Sequence, residues 1–106
     1  MLSKKVKIFV AGHNGMVGSS IIQSLKEKKF EKIITISKKR LNLLDQNKTF
    51  NFLKKTKPDI VIIAAAKVGG ILNNNLNRAQ FIYENTSIQN NLIHGSYLAK
   101  VKKLIF

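Results

Sequence analysis

Val6-Lys7-Ile8-Phe9-Val10-Ala11-Gly12-His13-Asn14-Gly15-Met16-Val17-Gly18 sets a short apolar run directly against three glycines at three-residue spacing. The run over residues 6–11 is β-branched, bounded and too short for a helix, so it reads as a buried strand. After the glycines, Val17, Ile21, Ile22 and Leu25 recur at helical spacing, with Gln23, Lys26 and Lys29 turned outward. That spacing predicts an amphipathic helix from Met16 to about Lys29. A glycine pattern alone is weak evidence, but between a strand and an amphipathic helix it has the context of a dinucleotide-binding turn. There Gly12 permits the tight exit from the strand, Gly15 lets a pyrophosphate approach the backbone, and Gly18 lets the helix pack close to the sheet. The free amides and positive dipole end of the helix then face the phosphates. A tight turn with no ligand is the competing reading.

Downstream, residues 32–37 read as a second strand and residues 40–44 as a third, very short one. Asp45 can cap a helix running to about Lys55, with Phe50 and Leu53 inward. Lys57-Pro58-Asp59 is a turn in which Pro58 blocks helix continuation. Residues 60–65 show no polar alternation, as expected of a strand covered on both faces in a parallel sheet. A Gly- and Asn-rich loop over residues 67–78 leads to a long helix over 79–98, with Phe81, Ile82, Ile88, Leu92 and Ile93 inward; residues 103–106 begin another strand. This alternation predicts an α/β fold: a three-layer, doubly wound, parallel sheet of Rossmann type in the order 3-2-1-4-5. It forms one domain over residues 1–106, cut short in the fifth strand.

The end of the second strand bears on which dinucleotide is held. An NAD site usually has Asp or Glu there for the ribose 2′-hydroxyl. This chain has Ser37-Lys38-Lys39-Arg40, cations and no acid, which favours the 2′-phosphate of NADP(H); a solvated loop is the plain alternative. The net charge is +14, and 17 of the 19 basic residues are Lys. Spread along the sequence, they read as a solvated surface rather than a nucleic-acid interface. The aromatics Phe9, Phe30, Phe50, Phe52 and Phe81 fall mostly at core positions, and no nucleic-acid motif is visible. There is no cysteine, hence no disulfide or thiolate metal site, and no metal is expected. No apolar run is long enough for a membrane span, and residues 1–5 do not resemble a signal peptide, so the cytoplasm is the expected compartment.

Four strings together are more specific: Ala11-Gly12-His13-Asn14-Gly15-Met16-Val17-Gly18, Leu41-Asn42-Leu43-Leu44-Asp45, Ala64-Ala65-Ala66-Lys67-Val68-Gly69-Gly70-Ile71 and Phe81-Ile82-Tyr83-Glu84-Asn85. They closely resemble the GDP-L-fucose synthases of the extended short-chain dehydrogenase/reductase superfamily, over essentially the whole chain. The resemblance implies NADP(H) binding and conversion of GDP-4-keto-6-deoxymannose to GDP-L-fucose, by epimerisation beside the ketone followed by hydride delivery to it. It implies that Gly12, His13, Asn14, Gly15, Met16, Val17 and Gly18 carry the pyrophosphate and that Lys38 meets the 2′-phosphate. Asn42 and Leu43 would border the adenine, while Ala64, Ala65, Ala66 and Lys67 run beside the ribose toward the nicotinamide. Asn85 would be structural. Asn14 and Arg78 stand where the family often has Arg and Pro. The family's catalytic Ser and Tyr–Lys pair correspond to positions beyond Phe106, so no catalytic residue is expected in this chain. The alternative readings are a cofactor-binding module without chemistry, for the chain by itself, or another sugar-nucleotide epimerase or dehydratase, with a basic nucleic-acid binder less favoured. The resemblance further implies a homodimer through the long helix 79–98. Of the histidines, His13 is expected to shape the loop and His94 to be a satisfied core residue.

Overall fold

β1 (Lys7–Ala11) and β3 (Ile60–Ile63) run side by side in parallel at the centre of the sheet in the computed structural model, which describes residues 3–64 and 78–106. β2 (Lys32–Ile34) flanks β1 and β4 (Lys103–Ile105) flanks β3, so the order is β2-β1-β3-β4 with every pairing parallel. The helices are α1 (Met16–Glu27), α2 (Gln46–Thr56) and α3 (Arg78–Leu98). Each strand enters from the same edge of the sheet and each helix returns the chain to it, the arrangement that right-handed crossovers produce.

Two apolar clusters sandwich the sheet. Ile8, Val10, Ile60 and Ile62 point to one face, where Ile21, Ile22 and Leu25 of α1 cover them. Phe9, Ala11, Val61 and Ile63 point to the other, against Leu53 of α2 and Leu92 of α3. Alternate residues of one strand thus serve opposite layers, which is why residues 60–63 are apolar without interruption and buried throughout. α2 and α3 meet closely at Gly95, where a Cβ would lie 2.8 Å from Leu53 Cδ1 and 2.9 Å from Phe50 Cδ1.

Asp45 caps α2 as its sequence position predicts, its carboxylate accepting the Lys48 amide at 3.0 Å. Asp59 ties three strand entries together. Its carboxylate accepts the Lys7 amide at 2.9 Å, its own amide donates to the Lys7 carbonyl, and its carbonyl accepts the amides of Lys102 and Lys103. Asp59→Ala should therefore lower stability by about 1–3 kcal/mol, read as a lower denaturation midpoint, because one charged acceptor of a strand amide is lost. An unchanged midpoint would exclude this role.

Each of the three described helices is followed, at or just past its C-cap, by a lysine with left-handed backbone: Lys29 (φ 65°), Lys57 (φ 49°) and Lys100 (φ 60°). The amides of Phe30 and Val101 reach back to the carbonyls of Leu25 and Ser96, closing α1 and α3 in the manner usually reserved for glycine. A side chain there costs about 1 kcal/mol relative to glycine.

The sheet departs from expectation on one side. Residues 40–44 form no strand, so the expected outermost strand is absent, and the strand expected as the fifth is β4. The Ser37 carbonyl accepts the amides of Arg40 and Leu41, and Asn42 Oδ1 accepts the Leu44 amide at 3.0 Å. These local bonds turn the chain where a ladder would need it extended. β2 itself is three residues long, ending at Ile34 rather than at the expected Ser37. Two apolar assignments are corrected as well. Val17 is 55 % exposed, because at the start of α1 the inward position belongs to Gly18. On α3, Leu92 is buried and Phe81 and Ile88 are half-buried, but Ile82 and Ile93 are exposed. The face of α3 against α2 and the sheet is instead lined by Asn91, Gly95 and Ser96 beside Leu92.

Candidate functional site

Gly12 leaves β1 with φ 91°, a conformation that a side chain rarely adopts. Its carbonyl accepts the Gly15 amide at 3.2 Å, closing a tight turn. α1 starts at once with Gly15 as its N-cap, and no side chain caps it. Its first turn carries no acid. The opening amides of a helix lack intrahelical acceptors, and the residues that carry the first two here, Met16 (88 % exposed) and Val17, are exposed.

The three glycines are bare for different reasons. A Cβ on Gly18 would overlap the Gly12 carbonyl oxygen and approach the Gly12 carbonyl carbon to 2.7 Å, so helix and loop can meet only without it. Gly12 is required by its φ. At Gly15 neither constraint holds: φ is −75°, and a Cβ would rest 3.5 Å from the Gly12 carbonyl oxygen, in ordinary contact. The packing of the described residues leaves room for a side chain at Gly15, so among them the bare backbone there is open to an outside group.

Because β1, β2 and β3 are parallel neighbours, the segments leaving them gather at one edge. Ala64 donates its amide to the Ala11 carbonyl at 2.8 Å, which brings the end of β3 beside the glycine turn. Lys38 lies in the exposed turn closed by the Ser37 carbonyl, with Lys39 and Arg40. Asn42 is exposed and Leu43 half-buried. Ala65, Ala66 and Lys67 lie outside the described residues. Asn14 is exposed, and His13 is half-buried at a shallow depression of about 330 Å³ shared with Ser19, Ile22, Lys26, Ile33 and Thr35. His94 corrects its expectation: it is exposed, its ring 5.5 Å from Phe50 and 6.0 Å from Tyr97. It sits at the rim where α2 meets α3, not in the core.

Two residues that sequence reasoning passed over hold the segment 41–44. Asn91 Nδ2 donates to the Leu43 carbonyl at 2.8 Å, and Thr49 Oγ1 donates to the same oxygen at 3.4 Å. Both side chains are buried. Asn91 precedes a core leucine on a helix with no apolar stripe, and its polarity alone gives no sign of burial. Among the described residues no cluster of His, Asp and Glu could hold a metal ion, and no helix is long and apolar enough to cross a membrane.

The comparisons with known proteins agree with this geometry. The model of the NAD dependent epimerase/dehydratase family matches residues 8–106. GDP-L-fucose synthase 1 of Arabidopsis thaliana is 47 % identical over 106 residues, covering 100 % of this chain and 33 % of that protein. GDP-L-fucose synthase of Escherichia coli K12 is 42 % identical over 102 residues, 96 % of this chain and 32 % of that protein. The solved GDP-mannoheptose C4 reductase of Campylobacter jejuni, with NADP bound, superposes with a TM-score of 0.91 at 38 % identity, covering 98 % of this chain and 33 % of that one. The chain thus spans about a third of the length of the curated relatives it matches. With strand, glycine turn and uncapped helix in one register, and a family match over nearly every residue, the chain belongs to the NAD dependent epimerase/dehydratase family.

Proposed function

We propose that residues 1–106 form the NADP(H)-binding domain of a nucleotide-sugar epimerase/reductase that converts GDP-4-keto-6-deoxymannose to GDP-L-fucose. The observation that carries this reading is Gly15: a position with room for a side chain and none present, at the mouth of an uncapped helix N-terminus. A pyrophosphate is the group whose approach a Cβ would block and whose charge the helix end favours. Gly12 to Gly18 hold it, and Lys38 meets the 2′-phosphate with no carboxylate beside it. Asn42 and Leu43 border the adenine, and the segment from Ala64 through Ala65 and Ala66 to Lys67 leads toward the nicotinamide. The cofactor supplies the hydride; the groups that move protons belong to the part of the relatives that this chain does not span. A cytoplasmic location and a homodimer go with this reading. The dimer is supported by α3, which exposes Ile82, Tyr83, Ile93 and Tyr97 and carries no Lys, Arg, Asp or Glu from residue 85 to residue 99.

A thermal-shift titration with NADPH and NADH in parallel tests the assignment. NADPH should raise Tm at lower concentration than NADH, since a ligand that binds only the folded state stabilises it. Lys38→Glu should weaken NADPH by about tenfold while leaving NADH nearly unchanged, because only NADPH carries the phosphate that the new carboxylate repels. No shift with either dinucleotide in a folded sample would refute the binding role.

A further inference from the structure

The lysines that look evenly spread in the sequence are not spread in space. Lys4, Lys5 and Lys7 lead into β1; Lys28, Lys29 and Lys32 into β2; Lys54, Lys55 and Lys57 into β3; Lys100, Lys102 and Lys103 into β4. Each strand entry thus carries three, and all twelve are exposed. Since all four strands are parallel, all four entries lie on one edge, opposite the glycine turn. Against Glu31 and Asp59 in the same segments, these lysines account for ten of the chain's +14.

Complementing helix dipoles does not explain so much charge. Each helix C-terminus presents the equivalent of roughly half a negative charge, so three helices are matched by far fewer lysines. The edge is also maintained against local preference. All three helix-ending left-handed positions hold Lys where glycine is the easier residue. Lys7 and Lys32 are direct partners across the β1–β2 ladder, a like-charge pairing. Between the entries of β1 and β4 lies an open depression of about 450 Å³ lined by Lys5, Lys102 and Lys103 around Asp59.

We propose that this edge is a second binding surface, separate from the dinucleotide turn, for the phosphodiester backbone of nucleic acid without sequence preference. Lysines in rows with few acids are what phosphate neutralisation requires. Residues 3–7, 28–32, 54–60 and 100–103 include no exposed large hydrophobic residue. A membrane-inserting face or a protein hot spot would need an apolar anchor, whereas a phosphate backbone needs none.

The test is binding of the purified protein to a fluorescent mixed-sequence DNA duplex across a salt series. The logarithm of affinity should fall steeply with the logarithm of salt, by about 0.9 per phosphate neutralised. Lys29→Gly, Lys57→Gly and Lys100→Gly together should make that slope shallower by about 2 and weaken binding roughly tenfold at moderate salt. Because glycine suits all three positions, this variant should not lose Tm. Lys48→Gln and Arg78→Gln together remove charge away from both the edge and the dinucleotide turn and should leave the slope nearly unchanged. Equal slope changes per charge removed in the two variants, or displacement of the duplex by NADPH, would move binding off this edge and overturn the proposal. So would no binding at physiological salt, or tighter binding to phosphatidylserine vesicles than to the duplex.

Discussion

Gly18→Ala should lower the stability of the chain by about 3 kcal/mol, whereas Gly15→Ala should cost at most about 1 kcal/mol and abolish most dinucleotide binding. The two glycines are three residues apart in one motif, and the physics separates them. At Gly18 the new methyl meets the Gly12 carbonyl, a backbone group that cannot rotate away. Relief requires α1 to lift from the loop, which strips cover from Ile8, Val10 and their neighbours. At Gly15 the methyl finds 3.5 Å to the same carbonyl oxygen and ordinary backbone angles. Only the mild preference of an N-cap for glycine over alanine is lost. On the proposed function the methyl would occupy the space through which a pyrophosphate reaches the helix amides, so NADPH affinity should fall at least about tenfold, a loss of roughly 1.4 kcal/mol. Denaturant midpoints and NADPH titrations on both variants read the contrast. A Gly15→Ala protein that binds normally would remove the main support for the site; a Gly18→Ala protein of normal stability would contradict the close helix–loop approach.

What the sequence made legible was local. The glycine turn, the Asp45 cap and the uninterrupted apolar strand at residues 60–63 each depend on neighbours a few residues apart, and each stands in the structure. The segment 40–44 misled because its alternating leucines carry the period of a strand. Asn42 carries a side chain that bonds its own backbone, and that local competitor prevailed. α3 misled for a different reason. Its apolar residues surround the axis, so no stripe marks the inner face, and packing at Gly95 selects one that is largely small and polar. The basic edge was invisible for a third reason: it exists only once parallel topology brings four separate lysine groups to one side. The roles of Ala65, Ala66 and Lys67 rest on family resemblance alone.

Asn91 offers the second large effect, and on the proposed function it concerns the segment that would border the adenine. Asn91→Leu should lower stability by about 1–3 kcal/mol and weaken NADPH binding about tenfold. Leu shares with Asn the branching at Cγ and the number of side-chain heavy atoms, so the buried position is not emptied, although it is somewhat more tightly filled. The change instead removes the 2.8 Å bond that holds the Leu43 carbonyl, leaving that oxygen only the longer contact with Thr49. A carbonyl poorly satisfied at the edge of the core favours conformations in which residues 41–44 swing toward water. If the binding-competent arrangement is then populated about a tenth of the time, the apparent Kd rises about tenfold with no cofactor contact altered. Thr49→Val, which loses the weaker bond at nearly constant shape, should show the same two effects at smaller size. The ordering is the test. Thr49→Val exceeding Asn91→Leu would assign the clamp to the wrong residue. Asn91→Leu lowering stability while NADPH affinity stays intact would mean that residues 41–44 do not border the bound nucleotide.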